Sequence, residues 1–542
     1  MSTAQNAYSA SNYAAITEFL DMIRRGEVDT KNLELQKVLL ARRHRTIKIL
    51  KNAEIFALAD KNDRDYAKIR STLKTKPVRT GSGVANISVM WLDKSRKSPH
   101  EPEKFYSCPA SCIYCAQGSV KEDGTIIQAP KSYTGCEPTT MRAIRNDFDP
   151  FRQVANRINQ FRIIGHDTDK CELIIMGGTF TATTPDYQEE FVKRCLDAMN
   201  GTESESMESA QTANEAAENR CIGLTIETRA DFCSDHHVNH MLEMGCTRVE
   251  IGVQSTKDDV LRKINRGHDT GANIEAIACV KRAGLKFTSH FMPGLTGLFG
   301  EIDEKQEMED FRALFDNPAY RPDELKIYPT LVLPGTHLYE LWTQGKYTPL
   351  TSKQMLSMLI EMQKIVPPYV RIKRVMRDIS EHEASAGAST TNLRQLADDV
   401  MRKRGERCRC IRCREVGFSK AEPDIIELIV EEYEASGGKE VFLSFEDVKN
   451  DILLGFLRLR LDKGTDTARI REVHVYGKMT PIGEKSKQMQ HRGLGKKLIE
   501  KAEGLAKEKG YEKITVTSGV GVRGYYRKLG YVFDKPYMVR QL

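Results

Sequence analysis

No apolar run in the 542 residues approaches the roughly 20 that a membrane span needs. The first residues, MSTAQNAYSASNYAAITEF, lack the basic and apolar regions of a signal peptide. A membrane or exported protein is not expected, and the chain is read as cytoplasmic. In that reducing compartment the 13 cysteines are cluster, metal and core residues, not disulfides. Residues Asn200 to Asn219 hold five Glu, no Lys or Arg, and no large aliphatic or aromatic side chain. Such a stretch cannot build a core, so an exposed, mobile insertion is expected there.

What is present is a globular composition with a net charge of +7, on a chain long enough for two or three domains. The charge is uneven: Lys37 to Arg79 carries 13 Lys/Arg against four Asp/Glu. That density is most simply an electrostatic footprint for nucleic acid, with a solvated basic helix face as the alternative. Residues 1–75 read as helical, with Tyr13, Ile16, Leu20 and Ile23 on one stripe and Gly26 ending it. From Ile87 to Asp378 short apolar runs alternate with helical ones. Strands are expected at 87–92, 172–176, 222–227, 248–254, 286–292, 325–332 and 371–376, with helices such as 139–163, 186–199, 271–283, 304–316 and 352–366. This is an α/β pattern with a parallel sheet or barrel, whose ligands belong at the C-terminal strand ends. After Pro423 the order changes to a helix (424–435), strands at 440–446, 453–461 and 468–476, a helix (494–508), a strand (513–517), a short helix (522–529) and a last strand (531–539). This reads as a separate α+β domain.

Four sites carry chemistry. Cys108, Cys112 and Cys115 are spaced CxxxCxxC after the first strand, with Tyr114 before the last cysteine. Three soft thiolates suit a 4Fe-4S cluster with one iron left open. A zinc knot would need a fourth ligand, and only Cys136 and His100 are near. Met176-Gly177-Gly178-Thr179 ends the second strand, where glycine admits a ligand to the backbone. Glu227, Arg229 and Gln254 end later strands on the same rim, either as ligand contacts or as structural ion pairs and caps. Cys408, Cys410 and Cys413 form CxCxxC, which points to zinc before a second iron–sulfur cluster, with His382 as a weak fourth ligand. Lastly, Gln490-His-Arg492-Gly493-Leu494-Gly495-Lys496 opens a helix, a turn whose N–H groups can hold a pyrophosphate. Glu472-Val473-His474-Val475 lies on the strand before it and Tyr525-Tyr526 in the helix beyond; one of those tyrosines is expected to be a buried aromatic.

The cysteine triad resembles that of the radical S-adenosyl-L-methionine (SAM) enzymes, and the Gln490–Lys496 turn resembles the acyl-CoA loop of the GNAT acetyltransferases. Together with Ser132–Arg145, Arg248–Gln254, Asn265-Arg-Gly-His268, Leu325–Thr330, Asn392–Leu396, Arg414–Gly417 and Gly524–Tyr531, these motifs are similar to those of the Elongator catalytic-subunit family, in its stand-alone archaeal and bacterial form. One departure is Ala116-Gln117-Gly118, where the family has Pro-Gly-Gly. The resemblance implies an enzyme with an N-terminal helical basic tRNA-binding segment (1–75), a partial TIM-like radical SAM barrel (76–395), a metal-binding linker (396–420) and an α+β GNAT domain (421–542). It implies SAM at Gly177 and Gly178, and acetyl-CoA at Lys170, Glu472 to Val475, Leu494 to Lys496 and Tyr526, with Tyr525 or Tyr526 as proton donor. A deoxyadenosyl radical would take hydrogen from the acetyl methyl. The resulting carbon radical would add to carbon 5 of the wobble uridine in a tRNA anticodon stem-loop, and hydrolysis from CoA would leave a carboxymethyl group. Arg42, Arg43, Lys76 and Arg79 would hold the tRNA. Accessory subunits or a homodimer are compatible with this. Two competing readings are a protein lysine acetyltransferase with a structural cluster and a tRNA-binding scaffold without turnover.

Overall fold

The computed structural model describes residues 10–46, 48–60, 62–75, 80–98, 103–120, 125–419, 422–476 and 493–542. Seven strands form one sheet: β1 (Ala85–Met90), β2 (Lys170–Met176), β3 (Arg220–Thr228), β4 (Arg248–Gln254), β5 (Lys286–Phe291), β6 (Glu324–Ile327) and β7 (Arg371–Val375). They lie side by side in chain order, every neighbouring pair parallel, so the sheet curls into an open partial barrel. Alternation along each strand divides its residues between two faces. Leu173, Ile175, Val249, Ile251, Phe287 and Leu325 turn outward into the core under the helices and are fully buried. Glu172, Arg248, Glu250, His290, Glu324 and Lys326 form the opposite set, joined by ion pairs across the lumen. A closed TIM barrel fills that space with branched aliphatics; this one fills it with charge.

The expected helix 139–163 is two helices, Pro138–Arg145 and Pro150–Ile163. Pro150 cannot continue a helix from upstream, and Asp149 caps the second by accepting from the Arg152 N–H. The acidic stretch Asn200 to Asn219 is also not a loose insertion. It holds a helix, Met207–Asn214, whose Ala210, Gln211 and Asn214 are buried. Asn214 donates to the Asn219 carbonyl and accepts from the Cys221 N–H, while Glu215 pairs with Arg523 and Arg527. Its polar side chains are interface groups, which composition alone hides.

The second sheet comprises β8 (Ile426–Ala435), β9 (Gly438–Asp447), β10 (Ile452–Leu461), β11 (Thr467–Val475), β12 (Lys513–Val516), β13 (Val532–Asp534) and β14 (Tyr537–Gln541), in the order β8-β9-β10-β11-β12-β14-β13. Only β11 and β12 pair in parallel. The run 424–435, expected as a helix, is the edge strand β8. Its β-branched and aromatic residues pair antiparallel with β9 through the Ser436-Gly437 turn. The expected last strand 531–539 is likewise a hairpin of β13 and β14. The helix Leu494–Glu508 packs Leu498, Ile499 and Ala502 on this sheet. At the N-terminus the helices Ala10–Arg25, Leu33–Arg43, Asn52–Phe56 and Tyr66–Leu73 enclose a core of Ile16, Phe19, Ile23, Ile55 and Ile69. Among the described residues no helix is long and apolar enough to cross a membrane.

The second sheet sits against the N-terminal mouth of the barrel. Arg471 on β11 donates to both carboxylate oxygens of Asp323, at 2.8 and 2.6 Å, and to the Leu285 carbonyl. Arg458 on β10 donates to the Asp323 and Tyr369 carbonyls. Tyr369 stacks on Tyr433 with centroids 4.0 Å apart. Gly519 lies so close to β3 that a Cβ there would stand 2.1 Å from the Ile222 carbonyl oxygen. The apolar core is continuous across the contact, running from the barrel to Phe442, Phe456 and Tyr476.

Candidate active site

The upper cavity lies at the C-terminal strand ends. Cys108, Cys112 and Cys115 all line it, together with Gly178, Thr179, Glu227, Arg229 and Gln254. The cysteine loop is short and tightly supported. Cys115 N–H donates to the Cys112 carbonyl, Ile113 N–H to the Ile264 carbonyl, and Cys108 Sγ sits 3.1 Å from Thr179 Oγ1. Gly177 and Gly178 have φ of +124° and +95°, which only glycine adopts without strain. A Cβ on Gly177 would stand 2.8 Å from the Trp91 oxygen, and one on Gly178 3.1 Å from the Ser107 oxygen, so the glycines let the loop settle on the strand end. Gln254 holds a left-handed φ of +69° although it is not glycine, and its buried Oε1 has no partner. Strain and an orphaned acceptor facing one cavity are marks of a ligand site. Glu227 accepts from Tyr133 Oη and Lys326, whereas Arg229 is engaged by Asp231 at 2.7 and 2.9 Å. A hydrogen bond from Cys115, and against burial the charges of Arg266 and Arg229, hold the Cys112 thiol well below its ordinary range. Three soft donors beside buried cations fit an anionic iron–sulfur centre.

The lower cavity, about 580 Å³, opens where the two sheets meet. Lys170, Arg248, Lys286, Glu324 and Arg371, at the first residues of five barrel strands, form one wall; Glu472, Val473, His474, Tyr525 and Tyr526 form the other. The β11–β12 ladder stops at Ile470↔Val516, while β11 stays paired with β10 out to Val475. The strands therefore splay, and the β11 backbone beyond Ile470 lies outside the β12 ladder. Glu472 directs its carboxylate to Lys286 and Arg458, so the strand offers backbone at this position. Gly493, with φ of +72°, starts the helix Leu494–Glu508. Gly495 lies under Tyr525, where a Cβ would stand 3.3 Å from the phenol oxygen. Tyr526 is buried in the domain core and Tyr525 is the more exposed of the pair. Leu494 is a core residue, and Lys496 is exposed and paired with Glu500.

Buried charged side chains of the lumen stand between the two cavities. Arg248 lines the lower one and Glu250 the upper one, with 3.8 Å between guanidinium and carboxylate. Arg248 also pairs with Glu172 and Glu324; Glu250 pairs with Lys326 and with His290 at 3.0 Å. Against the burial that would raise it, Lys326 and His290 hold Glu250 well below the usual carboxylate range. Lys326 and Arg266 lie in motifs that carried the family resemblance, but neither side chain had a role until the fold set Lys326 against Glu250 and Arg266 in the wall of the upper cavity.

Other expected site residues fall elsewhere. The sulfurs of Cys408, Cys410 and Cys413 lie within 4.8 Å of one another, a group that His382 does not join. Arg394 approaches Cys413 at 3.3 Å and Cys410 at 3.8 Å. Arg42 is exposed, and Arg43 pairs with Glu18. Lys76, Arg79, Gln490 and Arg492 lie outside the described residues.

Three family models match: the Radical SAM superfamily over residues 103–308, the Radical SAM C-terminal domain over 322–403, and the Acetyltransferase (GNAT) family over 409–531. The tRNA uridine(34) acetyltransferase of Methanocaldococcus jannaschii is 44% identical over 546 residues, 97% of each chain. The human Elongator complex protein 3 is 43% identical over 484 residues, 87% of this chain and 86% of that one. This chain belongs to the Elongator complex protein 3 family. Among solved structures, the archaeal Methanocaldococcus infernus Elp3 with an N-terminal deletion (1–46) superposes with a TM-score of 0.72 at 42% identity, covering 85% of this chain and 100% of that one. In family terms, the upper cavity belongs to the radical SAM part, and the lower one lies between that part and the acetyltransferase.

One wall of the lower cavity has a calculable pH response. Burial, outweighing the pull of Glu472, lowers His474 to about 4. An unfolded histidine titrates near 6.5, so between pH 6.5 and 4 the unfolded chain binds the extra proton. Stability attributable to neutral His474 is thus present above pH 6.5 and falls as pH drops toward 4. A His474→Gln chain should show a shallower decline in melting temperature over that window than the wild type, and parallel declines would refute the assignment.

Proposed function

We propose that this chain is a tRNA-modifying enzyme, a tRNA carboxymethyluridine synthase, that uses acetyl-CoA and radical SAM chemistry to place a carboxymethyl group on carbon 5 of the wobble uridine. The observation that carries this reading is the pairing of a three-cysteine cavity and a second cavity of about 580 Å³ at opposite ends of one charged lumen, with Arg248 of the lower lining 3.8 Å from Glu250 of the upper. When bound, a 4Fe-4S cluster with SAM supplies a deoxyadenosyl radical able to take hydrogen from unactivated carbon.

The protein's part is placement. Cys108, Cys112 and Cys115 hold the cluster, and Gly177, Gly178, Thr179, Glu227, Arg229 and Gln254 shape the SAM site. Acetyl-CoA takes the lower cavity, its arm along Glu472 to Val475, its pyrophosphate at the turn from Gln490 through Arg492 and Gly493 to Lys496. Lys170 faces the thioester, with Tyr525 and Tyr526 beside the sulfur. Cys408, Cys410 and Cys413 hold a structural zinc whose tight sulfur spacing suits one tetrahedral ion. Arg42, Arg43, Lys76 and Arg79 contact the tRNA backbone, and the enzyme works in the cytoplasm, with accessory subunits or a second copy. For about six phosphate contacts, tRNA affinity should drop by about 10³ between 50 and 200 mM salt, read by filter binding. A flat salt profile would remove this role.

The test is anaerobic incubation of the reconstituted chain with reductant, SAM, acetyl-CoA and tRNA, followed by nucleoside mass analysis. Carboxymethylated wobble uridine with matching 5′-deoxyadenosine is expected. An unmodified uridine despite a loaded cluster would overturn the reading. Acetylated peptide formed without SAM would replace it with a lysine acetyltransferase.

A further inference from the structure

The turn Asn265-Arg266-Gly267-His268 follows the helix Asp258–Lys263 and closes over the cysteine loop. Asn265, at a left-handed φ of +55°, donates from its side-chain nitrogen to the Ser111 carbonyl at 3.1 Å and to Ser111 Oγ at 2.6 Å. The turn thereby clamps the loop and points Arg266 beneath it. Arg266 is only 5% exposed. One guanidinium nitrogen donates to the Gly252 carbonyl at 2.5 Å, another points at Cys112 Sγ from 3.6 Å, and Nε has no partner.

The neighbours of this cation are unusual. Arg229, close by, is neutralised by Asp231, and Arg248, Arg458, Arg460 and Arg471 each face a carboxylate. For Arg266 the groups able to carry negative charge that act on it most strongly are Tyr114, Cys112 and Cys108. A buried charge without a counter-ion is strongly unfavourable. Two of those three groups are sulfurs of the cysteine loop, so the charge that balances Arg266 lies on that loop.

We propose that Arg266 is the fixed counter-charge of the iron–sulfur cluster and sets its reduction equilibrium. The inference rests on the cluster reading given above. Accepting one electron from an external donor adds one negative charge to the cluster. A guanidinium held against a ligand sulfur in a low-dielectric site favours that reduced state. Arg266 acts on the cluster through Cys112 and is a positioning and tuning residue.

The full chain is reconstituted anaerobically as wild type, Arg266→Lys and Arg266→Gln. Iron and sulfide are quantified, and the midpoint potential is read by paramagnetic resonance during titration with dithionite. A wild type without a four-iron cluster overturns the cluster reading itself. With the cluster present, R266Q is expected to disfavour the reduced state by about tenfold or more, a shift of about 59 mV for one electron, while R266K stays within about threefold of wild type. A fully loaded R266Q with the wild-type potential overturns the proposal, as does R266K shifted as far as R266Q. Should R266Q not assemble a cluster, R266K decides: wild-type loading and potential support the charge role, and an empty R266K shows that shape, not charge, is what matters.

Discussion

A chain carrying Cys112→Ser should bind acetyl-CoA as the wild type does, hold no complete cluster, and release no 5′-deoxyadenosine. Cys112 is 5% exposed, and its sulfur meets Arg266 on one side and the cavity on the other. Serine fits that space but offers a hard oxygen, which does not replace thiolate on iron. The lower cavity takes its walls from the opposite strand ends and from β11, and Cys112 is not among its lining residues. Wobble-uridine modification should therefore vanish while a fluorescent CoA probe still binds. Modified uridine from the serine chain would sink the radical mechanism. Unchanged peptide acetylation would instead favour the lysine acetyltransferase.

The second large effect is on stability. Asp323→Asn should cost about 3–5 kcal/mol, the range for breaking a buried ion pair from one side. Asp323 is fully buried and accepts two hydrogen bonds from Arg471, with Arg458 also within 3.6 Å. Against its burial, Arg471, Lys281 and Arg458 hold its carboxyl far below the usual range. A carboxylate so depressed contributes stability that is fully present above its unfolded value, near 3.9, and is lost only as pH falls toward the folded value. The difference in melting temperature between Asp323→Asn and wild type should thus be constant from pH 5 to 7. Because Asp323 joins the two sheets, both halves should melt earlier together, as followed by calorimetry. Wild-type melting in the variant would show the latch to be without weight.

The seven barrel strands were legible because their outward residues, such as Leu173, Ile175, Val249 and Ile251, are short apolar runs framed by helical stretches. The charged inward set was visible only as interruptions, because a residue's face says nothing of what stands opposite. Arg248, Glu324 and Glu172 lie far apart in the chain and meet only once the sheet curls. The helix expected at 424–435 fails for a related reason. Its glutamates favour helix locally, but pairing with β9 and stacking of Tyr433 on Tyr369 decide for a strand. The three-cysteine and glycine motifs were readable since their chemistry is local, whereas the lower cavity is built from two domains and has no sequence motif as a whole. Asn200 to Asn219 misled because a polar segment that docks on its own protein resembles one that meets only water.

The second sheet covers one mouth of the barrel and leaves the cysteine cavity at the other. Under the proposed function, a bulky polynucleotide and a slender thioester would enter through separate doors. Neither would then block the other's way in, and an unreactive CoA analogue should lower the turnover number without changing how much RNA is needed for half-saturation.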